Sequence, residues 1–70
     1  MTTTRDYLIQ AGEALYGASF AGPLAADLGC SRRNVERWAA GTRQPRDPER
    51  LADDLRALLR ARAQAIRALL

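Results

Sequence analysis

The stretch from Phe20 to Gly41, FAGPLAADLGCSRRNVERWAAG, constrains this chain more than any other. Leu24, Ala25 and Leu28 fall at i, i+1 and i+4, on one face of a helix. Gly29 follows the last of them, where a helix that stops abruptly wants a residue tolerant of positive φ. Ser31 is a good N-cap for what comes next, because its hydroxyl can accept from an early amide that the helix leaves without a partner. Val35 and Trp38, three apart, point back at the first helix, and Gly41 marks a second stop. Two short helices joined by a tight turn are therefore expected.

The totals favour helices elsewhere too. Seventy residues make one domain, near the lower size limit for a core without staples. Ala and Leu supply most of the apolar residues and β-branched residues are few, so an all-α fold is the default. A single cysteine excludes an internal disulfide, and the absence of histidine argues against zinc. No apolar run approaches the length of a membrane span, and MTTTRDY has no signal-peptide layout, so a cytoplasmic location is expected. All eleven basic residues are arginine, which together with the abundance of alanine fits a GC-rich genome.

The distribution of charge says more than the net of +3. Residues 1–30 hold one arginine against Asp6, Glu13 and Asp27. Residues 31–46 hold five arginines against Glu36 alone, and residues 47–70 five against four acids. The excess sits on the second helix of the central pair and the loop behind it, the footprint expected for a phosphate-backbone partner.

The flanks can be placed in the same way. Residues 1–3 should fray. Thr3 or Thr4 can cap a first helix with Asp6 in its first turn, and Leu8, Ala11, Gly12 and Leu15 form its inner stripe up to Gly17. Gly12 on that stripe suggests close approach by another helix; otherwise it costs about 1 kcal/mol relative to Ala. Phe20 should staple the start of the central pair, and the hydroxyls of Tyr7 and Tyr16 should reach water. After Gly41, TRQPRDP reads as a loop, and Asp47-Pro48-Glu49 as a strong helix start. A last helix can run from Pro48 to Leu70, roughly 34 Å. A domain of this size has a radius of gyration of only about 11 Å. The first half of the helix would cover the central pair, and the second would overhang. Leu51, Leu55, Leu58, Leu59, Ile66, Leu69 and Leu70 form its apolar stripe, interrupted by Arg62. A homodimer through Leu55, Leu58, Leu59, Ile66, Leu69 and Leu70 would bury the overhang, unless the chain bends back after Arg60.

The central pair resembles the helix-turn-helix of the phage repressor and Cro family. Ala25 is the small residue at the helix crossing, Gly29 is the turn glycine four residues on, and Val35 and Trp38 are the apolar pair of the second helix. The family often carries glutamine at the start of its first motif helix; here Ala21, Gly22 and Pro23 stand there. The resemblance implies a small helical bundle of lambda-repressor type, as a single domain with the motif over 21–41. It also implies a cytoplasmic, bacterial or phage-encoded transcription regulator that binds double-stranded DNA at an inverted repeat, most simply a repressor. By the same resemblance the base-reading positions fall on Arg32, Arg33 and Arg37. Arginine suits them because its planar fork can donate twice to guanine O6 and N7. Glu36 could accept from cytosine N4 or hold Arg32 at i, i+4. Ser31, Asn34, Thr42, Arg43, Gln44 and Arg46 are expected at the DNA backbone. Trp38 reads as core rather than as a stacking platform, and Cys30 as a small apolar turn residue rather than a redox sensor.

Other functions fit less well. With no histidine, no nucleophile beside a base and no phosphate-cradling glycine loop, an enzyme is not expected, nor any cofactor, metal or small-molecule ligand. Asp53 and Asp54 are adjacent, so on a helix they diverge by about 100° and look like a solvated face. A membrane-surface helix over 51–70 is opposed by those same acids. The serious alternative is a protein-interaction or antitoxin-like module that uses the last helix. It has no need of the outward arginine cluster.

Overall fold

A computed structural model describes residues 3–70 as four helices: α1 (Thr4–Tyr16), α2 (Ala21–Leu28), α3 (Arg32–Ala40) and α4 (Pro48–Leu69). Among the described residues there is no strand, and the chain is the small all-α bundle expected. The expected fraying of residues 1 and 2 lies outside the described residues; Thr3 is already the cap of α1, its hydroxyl accepting from the Asp6 amide.

Each boundary has a local cause. Ser31 and Asp47 cap α3 and α4 through the amides of Asn34 and Arg50. Gly29 and Gly41 end α2 and α3 in the left-handed region, at φ of 74° and 78°, where a side chain would be strained. The start of α2 differs. Its N-cap, Phe20, has helical φ/ψ and no side-chain capping bond, so hydrophobic anchoring replaces a polar cap there.

The core gathers one face from every helix. Leu8, Leu24, Val35 and Leu55 are the largest fully buried side chains; Ala11, Phe20, Ala25 and Leu51 complete the cluster. Trp38, Leu58 and Leu59 pack partly exposed against it. α1 is the hub, with α2, α3 and α4 all packed on it. α4 lies mainly along α1 rather than over the α2–α3 pair, contrary to expectation. The two helices run in the same direction. Thr4 shares a crevice with Pro48, Arg56 lies over Tyr7, and Arg62 lies over Tyr16.

Three further details depart from the sequence reading. The close neighbour of Gly12 is the Phe20 ring, not another helix: a Cβ on Gly12 would sit 2.4 Å from Phe20 Cδ1. The Tyr16 hydroxyl donates to Asp27 Oδ2 instead of meeting only water, tying α1 to α2. Arg62 does not merely interrupt the α4 stripe. Its guanidinium donates to the Leu15 carbonyl at 3.0 Å, satisfying a carbonyl near the end of α1 that has no basic residue of its own nearby. As the long last helix was expected to do, α4 continues unbroken to Leu69 and does not bend after Arg60.

That continuity leaves the end of α4 bare. The radius of gyration is 11.9 Å and the longest extent 40 Å. α1 spans 13 residues and α4 22, so with parallel starts α4 outruns α1 by roughly 13 Å. Ile66, Leu69 and Leu70 on this tip are 51%, 89% and 99% exposed. Leu55, by contrast, is fully buried in the chain's own core, which removes it from the expected dimer surface; Leu58 and Leu59 are half spent there.

Candidate nucleic-acid interface

The candidate surface is the outer side of α3 and the loop that follows. Val35 anchors α3 to the core, and Trp38 holds the same side one turn on. With about 100° per residue, Arg33 and Arg37 then lie opposite Val35. Arg33 is exposed and Arg37 half-exposed, and neither has a carboxylate partner among the described residues. The two cations that point most directly outward are thus free to meet an external anion or base edge.

Arg32 is placed differently. Its Nε lies 2.8 Å from Glu36 Oε1, and both side chains are exposed. Such an i, i+4 pair contributes only about 0.3–0.5 kcal/mol, so it orients the two groups without holding them firmly. The Arg32 side chain also lies against the first turn of α2, since a Cβ on Gly22 would be 3.9 Å from Arg32 Cδ. A groove bounded by Gly22, Pro23, Arg32 and Glu36 therefore flanks α3 on its α2 side. Of the two roles open to Glu36, the geometry displays the bracing of Arg32.

The remaining residues form a second tier. The Ser31 hydroxyl is engaged as acceptor in the α3 cap but can still donate outward. Asn34 is half-buried beside it. The Thr42 hydroxyl donates to the Arg37 carbonyl at 3.3 Å, and the amides of Thr42 and Arg43 approach the same oxygen. Thr42 thereby finishes the end of α3, and its hydroxyl proton is already committed in this arrangement. Arg43, Gln44 and Arg46 are exposed on the loop, with no side-chain bond within the described residues.

Arg5 is a site residue that no motif in the sequence marks. Its Nε donates to the Ala39 carbonyl at 2.8 Å, so α1 is tied to the last turn of α3. The signal was present: Arg5 is the lone base in the first 31 residues, in a segment that otherwise carries only acids. Nothing in the spacing linked it to α3, because 34 positions separate Arg5 from Ala39.

Among the described residues no three Cys, Asp or Glu side chains converge as metal ligands. Asp53 pairs with Arg56 rather than with Asp54. Cys30 is half-buried, and burial raises its thiol pKa, which disfavours the reactive thiolate. No described helix is long and apolar enough to cross a membrane. Compared with known proteins, the chain matches no family model, no curated protein and no solved structure.

Proposed function

We propose that this protein is a sequence-specific double-stranded DNA-binding transcription regulator. It would insert α3 into the major groove and act as a homodimer on an inverted repeat. The observation that carries the reading is the pair Arg33 and Arg37, held outward and, among the described residues, without carboxylate partners on a short helix capped at both ends. Those two residues would read base edges, with guanine the natural target. Arg32, turned toward α2 and braced by Glu36, suits a phosphate at the flank better than a base. Arg43, Gln44 and Arg46 would track the backbone. Repression by promoter occlusion is the simplest regulatory outcome for such a module, in a bacterial or phage setting.

The test is selection from random-sequence duplexes with the full chain, followed by affinity against salt. An enriched palindrome with half-sites about one helical turn apart is expected. Salt-sensitive binding without enrichment would make the protein a non-specific binder, and no binding at low salt would overturn the reading.

The exposed tip of α4 favours a second reading, a protein-interaction or antitoxin-like module. It predicts that changes at Arg33 and Arg37 leave partner binding intact, whereas changes at Ile66 and Leu69 abolish it.

A further inference from the structure

On the side of α3 away from α2, a crevice of about 520 Å³ opens between the start of α1 and the α3–α4 loop. Trp38 and Gly41 line it beside Arg5, Arg43, Gln44 and Asp6. Two arginines and one aspartate are among its lining residues, so its local charge is positive. Arg5 is the unusual member. Its Nε–H is already used on the Ala39 carbonyl at 2.8 Å, which fixes the plane of the guanidinium and leaves both terminal amino groups without a partner among the described residues. Gly41 keeps that position open, since a Cβ there would meet Arg5 Nε at 3.3 Å. A cation held before its anion arrives loses less rotamer freedom on binding.

We propose that this crevice is a site for one backbone phosphate of bound DNA, with Arg5 and Arg43 as its cations, Gln44 as a neutral donor and the Trp38 edge facing the adjoining sugar. The site rests on the DNA-binding reading and extends it. Arg5 on α1 becomes a direct ligand, and α3 is flanked by a phosphate contact on each side, Arg32 on one and Arg5 on the other. Arg5 therefore has two tasks, holding the end of α3 and neutralising a phosphate, and the two can be separated experimentally.

The experiment follows affinity against salt for the full chain on its selected duplex, with Arg5→Gln, Arg5→Ala and Arg5→Lys beside the unaltered protein. Loss of one phosphate contact lowers the slope of log affinity against log salt by about 0.9. A fourfold rise in salt should then cost the unaltered protein about 3.5-fold more affinity than it costs Arg5→Gln or Arg5→Ala. Arg5→Lys should restore the slope, and base preference in repeated selection should stay the same. Arg5→Gln keeps a donor for the Ala39 carbonyl, so it serves if Arg5→Ala fails to fold. An unchanged slope with altered base preference would reduce Arg5 to a positioning residue and overturn the site. An unchanged slope with unchanged affinity would overturn it as well. Failure of the unaltered protein to bind any duplex would defeat the DNA reading first and the site with it, an outcome distinct from the other two.

Discussion

Single side chains in this protein carry duties that their types do not announce. Gly12 is needed for space, because the Phe20 ring occupies the position of its missing Cβ and Phe20 is buried. Gly12→Ala should improve helix propensity by about 1 kcal/mol and yet destabilise the fold, with an overpacking cost of about 1–3 kcal/mol, measured by urea denaturation. Tyr16 is a second case. Burial first, then the hydrogen bond to Asp27 and that carboxylate's charge, push its hydroxyl up to about 12, against the opposing pull of Arg62. A folded pKa above the ordinary 10.0 means that the neutral phenol is favoured by folding. Its contribution is complete below pH 10 and is lost as pH rises toward 12. Denaturation midpoints followed across that window should fall more steeply for the unaltered protein than for Tyr16→Phe. At Arg33 the expected effect is on recognition and not on stability. Arg33→Ala should relax preference at one base position, at a cost of about 1–3 kcal/mol in discrimination. Uniform weakening across all sequences would reassign Arg33 to a phosphate.

Among the elements, α3 is the most dependent on its neighbours. It is 9 residues long, too short to be stable alone. It is held at its start by Ser31, at its middle by Val35, and at its end by Gly41, Thr42 and Arg5. A helix fixed at three points presents Arg33 and Arg37 in a defined direction, as the proposed reading of DNA requires. α1 and α4 are tied by an analogous device, in which Arg62 stacks on Tyr16 and donates to the Leu15 carbonyl. Arg62→Ala removes both contacts and should cost about 1–3 kcal/mol, whereas Arg60 is exposed and has no ion-pair partner among the described residues, so Arg60→Ala should stay within about 0.5 kcal/mol. Equal effects of the two in thermal denaturation would show that the contact at the end of α1 contributes nothing.

For the whole molecule the decisive feature is the unequal length of α1 and α4. Their parallel packing uses up the α4 stripe as far as Leu55 and half-covers Leu58 and Leu59, then leaves Ile66, Leu69 and Leu70 in the open. A second copy is the simplest cover for that tip, and it would also supply the two-fold symmetry that an inverted repeat matches. Ile66→Asp with Leu69→Asp should keep the helical signal and turn a dimer into a monomer in sedimentation at micromolar concentration. Leu55→Ala should instead destabilise the fold by about 2–5 kcal/mol. A monomer for the unaltered protein under the same conditions would defeat the dimer.

Nearest-neighbour chemistry written along the chain accounts for the helix boundaries. Thr3, Gly29, Ser31, Gly41, Asp47 and Pro48 act on amides and carbonyls within four residues of themselves, so their effect was legible before any fold existed. Helical periodicity likewise picked out the inward faces, because burial selects one side of a helix wherever that helix packs. The outward direction of Arg33 and Arg37 follows from the position of Val35 by the same periodicity. What lay beyond the sequence were contacts between residues far apart in it: Arg5 on Ala39, Arg62 on Leu15, Tyr16 on Asp27, and Phe20 over Gly12. Each depends on where one helix lies against another, a matter of side-chain fit across the core that no local pattern encodes. The choice of α1 over the α2–α3 pair as the bed for α4 was settled at that same level, and with it the bare tip and the fate of Leu55.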